Sequence, residues 1–391
     1  MSPRGVHDAV VVGAGMVGAS AALALAKLGL RVAVVERAAP LPWVRPGQDL
    51  RVVALAEDSL ELLRELGVWE QVAEHAQAYT SMEIWDAGSE QRLLFEAVEE
   101  GRPALGAMVE NALLGDRLWR ALAALPTLER LEDTVAGLEP QGASDDLLRL
   151  VCASGRSLRS RWLIVADGAA SPLRRMLEIE VERHTYDQSA LVAYVRCSLA
   201  HAARCYQRFL PGGPLAFLPM ADGRCSIVWS LPHAEAERLC AIGEAAFRGE
   251  LERAFAARLG SIEAVSARRL FPLTRQLAQR SSAGRALLIG DAAHVVHPLA
   301  GQGVNLGLRD VLALREHARR YPDDPGQPQR LQRLARRLAS DNALAAHAFG
   351  AINRGFSSAA LLPTLLRGPL LGLANRMPAL KSLLWRQAAG R

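Results

Sequence analysis

Apolar and polar positions alternate along this chain in two distinct rhythms, and the rhythm changes at identifiable places. Ala9 to Val12 is a short apolar run, followed by a glycine turn, an alanine-rich stretch of helical spacing to about Leu28, Gly29 as its stop, and a second apolar run from Arg31 to Val35. Asp8 to Arg37 therefore reads as one βαβ unit. Helical spacing returns from Asp58 to Ala76 and from Asn111 to Leu125, while Ser81 to Phe95 between them alternates as strand and hairpin. Leu147 to Ala153 and Leu158 to Val165 are strands on either side of Ser154-Gly155-Arg156. From Ala190 to Leu231 strand follows strand: Ala190 to Cys197, Cys205 to Leu210, Leu215 to Met220 and Cys225 to Leu231, with Gly and Pro at the breaks. A helical stretch from about Ala234 to Ala257 comes next, and Phe271 to Ile289 returns to the first pattern. Tyr321 to Gln329, rich in Pro, Asp and Gly, is a loop, with two or three helices beyond it.

The pattern predicts an α/β chain. A Rossmann-like domain is assembled from 1–75, 107–181 and 272–350, an antiparallel β-sheet domain is inserted as 76–106 and 182–271, and 351–391 forms a C-terminal helical segment.

Three glycine-bearing turns follow predicted strands. Gly13-Ala14-Gly15-Met16-Val17-Gly18 lies between the first strand and its helix, as a dinucleotide fingerprint requires. Gly13 makes the tight turn, Gly15 lets backbone approach a pyrophosphate, and Gly18 lets helix and strand pack. Glu36, with Arg37 beside it, ends the second strand at the expected distance for a carboxylate holding ribose hydroxyls. Asp167-Gly168-Ala169-Ala170-Ser171-Pro172-Leu173-Arg174 follows Trp162 to Val165. The third turn, Gly290-Asp291 onward to Asn305-Leu306-Gly307, follows Ala286 to Ile289 and runs into a helix. There Gly301 and Gly303 permit close backbone approach, and the unpaired N–H groups of the helix start make a site for negative charge.

Taken together and in this order, the three turns resemble the FAD fingerprints of the single-component aromatic-ring hydroxylases. The run His-Pro-Leu-Ala-Gly-Gln-Gly-Val-Asn-Leu-Gly at 297–307 is similar to the branch that hydroxylates polyprenylated phenols in ubiquinone biosynthesis. The resemblance covers nearly the whole chain, including Pro214 to Met220 and Ser226 to Pro232. It implies that FAD is held by Gly13, Gly15, Gly18, Glu36, Arg37, Arg51, Asn111, Asp167, Gly168, Gly290, Asp291, Pro298, Gly301, Gln302, Gly303, Val304 and Asn305. Arg51, Gly301, Gln302 and Gly303 would position the flavin, and Asp291 would meet the ribityl chain. The implied reaction uses NAD(P)H and O2 and delivers oxygen through a flavin C4a-hydroperoxide to an electron-rich phenol. The segments Met82 to Asp86 and Val109 to Asn111 look nearer to the C5- or C6-hydroxylating branches than to the C1 branch. A base for the phenol proton is not named by the sequence. A hydroxylase of a soluble phenol and a flavin-bearing scaffold of a biosynthetic complex stay open as alternatives. A flavin halogenase does not fit, because no lysine stands between Lys27 and Lys381 and Trp229 lacks that family's tryptophan partner.

Composition narrows the partners. The chain of 391 residues carries a net charge of +5, nearly all of its positive charge being arginine. Aromatic residues make up only 5% and do not interleave with the arginine clusters, which argues against nucleic acid. Cys152, Cys197, Cys205, Cys225 and Cys240 contain no Cys-x-x-Cys pair and leave one over, against a disulfide framework or a zinc cluster. His294 and His297 lie in the third turn without a third ligand, so no metal is expected. The first strand begins within about ten residues of Met1 and no apolar run reaches the roughly 18 residues that span a bilayer. A cytoplasmic protein able to lie on a membrane is expected. Residues 355–391 would supply that contact, with an anionic membrane surface or a partner groove, or would instead close the FAD domain as a helix. They carry Arg367, Arg376, Lys381, Arg386 and Arg391, no acid, and leucine clusters from Leu361 to Leu384.

Overall fold

The computed structural model describes residues 5–44, 49–88, 91–139, 147–296 and 302–340, residue 302 by its backbone alone. Its centre is a six-stranded sheet in the order Ser282–Ala283, Ala286–Leu288, Leu163–Val165, Ala9–Val12, Val32–Glu36, Leu128–Glu132. All neighbours run parallel except the first pair. Every residue of Ala9–Val12, Leu163–Val165 and Ala286–Leu288 is buried. That is why these strands read as unbroken apolar runs rather than alternating ones. The pleat divides them between two cores: Ala9, Val11, Val32 and Val34 face one, and Val10, Val12, Ala33 and Val35 the other.

The first core is filled by helices. Met16–Ala26 is buried continuously from Gly18 through Ala26 because it is wedged between the sheet and the helices Asn111–Ala123 and Gln302–Arg320. Small side chains permit this approach. The second core is closed by a four-stranded sheet, in the order Val6–His7, Ser157–Ser160, Leu148–Cys152, Val135–Leu138.

The inserted sheet runs His294–Val295, Arg269–Ala278, Val181–Cys197, Cys225–Pro232, Gly213–Pro219, Arg204–Leu210, Ser81–Asp86, Arg92–Glu96. Alternate residues of one strand again separate two cores. Leu191, Ala193 and Val195 pack under the helices His233–Ala241 and Glu244–Phe255, whereas Ala190, Val192 and Tyr194 face Ala54 and Met108 of the Rossmann-like domain.

Four local features differ from expectation. The insert is not wholly antiparallel, since Arg204–Leu210 pairs parallel to Ser81–Asp86. These strands belong to separate excursions from the central domain, so no hairpin dictates their direction. The helical stretch from Asp58 to Ala76 is two helices, Glu57–Glu65 and Glu70–Ala73, interrupted at Gly67 with φ of +73°. The stretch from Ala234 to Ala257 likewise divides, at Ile242–Gly243. The strand anticipated from Ala190 begins at Val181, and its polar first half pairs with Arg269–Ala278, which runs unbroken through position 271. The C-terminal segment 351–391 lies outside the described residues.

The close contacts at Gly18 make a stability test. A Cβ there would stand 2.0 Å from the Gly13 carbonyl oxygen, whereas a Cβ on Gly15 meets nothing within 4 Å. Gly18→Ala is expected to destabilise the apoprotein by about 3 kcal/mol or more, and Gly15→Ala by less than about 1 kcal/mol. Chemical denaturation of the two variants checks the difference.

Candidate active site

The three glycine turns leave the C-terminal ends of neighbouring strands. Ala9–Val12 lies beside Leu163–Val165, which lies beside Ala286–Leu288, so motifs far apart in sequence become adjacent. Backbone bonds hold the strand tips level: Gly13 N–H donates to Val35 O at 2.8 Å, Ala166 N–H to Val12 O at 2.8 Å, and Ile289 N–H to Val165 O at 3.0 Å. The chain crosses from one side of Ala9–Val12 to the other here. This switch point is where open α/β sheets leave a crevice for ligands.

At the first turn Gly13 has φ of +94°, and a Cβ on it would lie 2.2 Å from Ala166 O. Gly13 and Gly18 are thus required by the protein's own packing, while the space over Gly15 is open. Gly15 is the N-cap of Met16–Ala26 with no side-chain cap, which leaves the first-turn amides available to an anion. Glu36 Oε2 accepts the Ala14 N–H at 2.5 Å, which brings its carboxylate onto the turn. Arg37 beside it is exposed.

In the middle turn Gly168 has φ of +86° and open space where a Cβ would stand. Asp167 Oδ2 accepts the Leu173 N–H at 3.2 Å, but buried Oδ1 has no partner. Burial pushes this carboxyl above its ordinary value, against the hydrogen bonds from Ser171 and Leu173. The helix cap in this turn is Ser171, whose hydroxyl accepts the Arg174 N–H at 3.0 Å.

In the third turn Gly290 has φ of +57° and packs against Val17, as does Gly307 from the following helix. The Asp291 side chain is exposed. Desolvation lifts its carboxyl above the ordinary value, partly offset by the neighbouring charge of His294. Among the described residues, a Cβ on Gly303 would meet nothing within 4 Å. The amides of Gly303 and Val304 belong to the first turn of Gln302–Arg320, where an α-helix supplies no acceptor of its own. Pro298, Gly301, the side chain of Gln302 and His297 lie outside the described residues.

Arg51 and Asn111 come together, as the Asn111 N–H donates to Arg51 O at 3.0 Å. Arg51 is exposed and paired with Asp49 at 2.9 Å. Asn111 does not cap its helix, and its buried Oδ1 is unpartnered. The Asn305 side chain has a different task from the one expected. Fully buried, it accepts from Ala56 N–H and Ser59 Oγ, both at 2.8 Å, and donates to Ala54 O at 2.7 Å. It fastens the third turn's helix to the strand that follows Arg51.

Two further residues join the turns. Arg174, 5% exposed, donates to Ala169 O and Ala292 O, both at 2.8 Å, tying the middle turn to the third. Gln276, from the inserted sheet, donates to Ala169 O at 2.9 Å. Arg174 stands within a motif visible in sequence, but a single Gln in a strand carries no signal.

These features fit FAD. Space over Gly15, Gly168 and Gly303 admits a ligand to the backbone, two helix starts offer amides to a pyrophosphate and a reduced ring, and desolvated carboxylates at Asp167 and Asp291 suit hydroxyl donors. Comparison with known proteins agrees. The family model described as FAD binding domain matches residues 7–318. The chain is 38% identical to the 3-demethoxyubiquinol 3-hydroxylase of Escherichia coli (strain K12), over 98% of each chain. It is 35% identical to the ubiquinone hydroxylase UbiL of Rhodospirillum rubrum, over 98% of this chain and 90% of that one. The fold is that of the p-nitrophenol 4-monooxygenase PnpA of Pseudomonas putida DLL-E4, with a TM-score of 0.78 over 99% of each chain at 18% identity. Three fingerprints meeting at one switch point, in a chain alike from end to end to these hydroxylases, place it in the FAD-dependent hydroxylase family of ubiquinone biosynthesis.

Proposed function

We propose that this enzyme hydroxylates the aromatic ring of a polyprenylated phenol or benzoquinol intermediate on the way to ubiquinone. The observation that carries the reading is the convergence of three open, partly unsatisfied turns at adjacent strand tips. The chain's 38% identity to a 3-demethoxyubiquinol 3-hydroxylase supplies the substrate class. FAD is the cofactor, and the enzyme is a monooxygenase using NAD(P)H and O2. When bound there, FAD would supply the transfer of electrons from NAD(P)H to O2 and of one oxygen atom to the ring.

The chain's own groups have separable tasks in this reading. Glu36, with Arg37 near it, takes the adenosine ribose, and the Gly15 backbone with the start of Met16–Ala26 takes the pyrophosphate. Asp167 and Gly168 support the middle of the cofactor, and Asp291 accepts from the ribityl hydroxyls. The amides of Gly303 and Val304, with the helix dipole behind them, would stabilise negative charge on a bound flavin ring without rearrangement. Arg51 and Asn111, joined through their backbones, would lie along the bound flavin. The face of the inserted sheet carrying Val192, Leu218 and Met220 supplies an apolar wall that excludes water and suits a prenyl tail.

A tail of that kind keeps the substrate in lipid. Among the described residues no helix is long and apolar enough to cross a membrane. The basic, leucine-rich sequence of 355–391 supports contact with an anionic membrane surface from the cytoplasmic side, and a groove on a partner of the same pathway is an equally basic-friendly destination.

Purified enzyme supplied with NAD(P)H, a short-chain prenylated phenol and labelled O2 should yield a product carrying one labelled oxygen on the ring. NAD(P)H oxidation giving only hydrogen peroxide would count against the substrate class. Gly15→Val should weaken FAD binding about tenfold or more while the apoprotein still folds. Asp291→Ala should weaken FAD, and a bulky residue at Gly303 should slow flavin reduction in stopped flow. Replacing Arg367, Arg376, Lys381, Arg386 and Arg391 by Gln should reduce sedimentation with anionic liposomes, with flavin content unchanged. Since each charge near such a surface adds about 1 kcal/mol, binding by the parent should weaken with salt.

A further inference from the structure

We infer that His294 and Asp310 form a buried clamp that holds the third turn closed and so positions Asp291 for the flavin. The inference rests on the reading that Asp291 faces the cofactor. Both side chains are 2% exposed, and His294 Nε2 lies 2.6 Å from Asp310 Oδ2. The same carboxylate oxygen accepts the Gly290 N–H at 2.9 Å. One oxygen atom therefore holds both ends of the turn. Its remaining positions are tied as well: Ala292 O accepts from Arg174, Ala293 O accepts the Ala278 N–H at 2.8 Å, and His294 pairs with Leu277. Gly290, Ala292, Ala293 and His294 are buried, and Asp291 alone of the five is exposed. Everything in the turn is fixed except the side chain that faces out.

Apolar packing could fix a turn at lower desolvation cost than a buried ion pair. A cation here does something more. The charged groups facing His294 are Asp310, from the helix Gln302–Arg320, and Asp291, from its own turn; Arg174 reaches the turn through Ala292 O, and Arg269–Ala278 opposes it with neutral Gln276 and Leu277. Burial disfavours the imidazolium, but the two carboxylates outweigh it and hold the histidine above its ordinary value. That positive charge opposes the desolvation that pushes Asp291 toward its neutral form. Without it, the charge-assisted bond to Asp310 weakens and the turn that presents Asp291 is held less firmly.

FAD dissociation constants measured from about pH 6 to 9.5 on parent, His294→Gln, Asp310→Asn and Asp291→Ala test this. Glutamine keeps a donor toward Asp310 and removes the cation, so His294→Gln should still fold, with a lowered thermal midpoint, and bind FAD about tenfold more weakly near neutrality. Parent affinity should fall as pH rises through the histidine's pKa, which lies above 6.5, and His294→Gln should be flat across that window. Asp310→Asn should weaken FAD at every pH. If Asp291→Ala weakens FAD while His294→Gln keeps the parent's affinity and pH profile, the clamp is overturned. If His294→Gln loses thermal stability without a change in pH profile, the pair is merely structural and the inference fails. An Asp291→Ala variant that binds FAD like the parent would instead remove the site reading on which it rests.

Discussion

The site depends on the lateral register of three parallel strands. Val12 stands beside Val165 and Val165 beside Leu288. A slip of one residue in either pairing would move one turn along the strand direction and exchange its buried face for the other. Register is protected because both faces are committed, one to the helices and the other to the four-stranded sheet. The crevice is thus a by-product of how a doubly covered sheet must pack, and the turns inherit their alignment from cores that never touch a ligand.

Alignment of strands does not by itself hold loops still. Side chains that the protein spends on itself do that. Asn305 fastens the helix of the third turn to the strand beginning after Arg51, Arg174 joins the middle turn to the third, and Gln276 brings the inserted sheet to the same carbonyl that Arg174 holds. The carbonyl of Ala169 is therefore a shared node between the middle turn, the third turn and the inserted sheet. A buried guanidinium bonded to backbone oxygens suits such a node, because its fixed fork reaches two loops at once.

Much of this was legible because glycine and strand carry strong local signals. Gly13 and Gly18 can be read from sequence since only glycine satisfies the contacts found there, and the central strands since burial on both faces leaves them uniformly apolar. What escaped was decided by distant partners. The first half of Val181–Cys197 is charged and gave no strand signal; it is extended because Arg269–Ala278 runs beside it. Asn305 sits in a motif that points to a ligand, and only the three-dimensional neighbour at Ala54 to Ser59 reveals its structural employment. Gln276 and the pairing of His294 with Asp310 depend on contacts between elements whose meeting no local pattern encodes.

The parallel pairing inside the inserted sheet has a consequence for biogenesis. Ser81–Asp86 and Arg92–Glu96 emerge from the ribosome as a hairpin whose inner edge must wait for Arg204–Leu210. All of 107–181 is synthesised in between, and that stretch in turn contains Leu163–Val165, which lacks one flanking strand until Ala286–Leu288 appears. Neither domain can close before the other is partly built. An open strand edge persisting through translation is a template for wrong pairing, so this interleaved chain order makes nascent-chain shielding, rather than the stability of the finished fold, the step most exposed to failure.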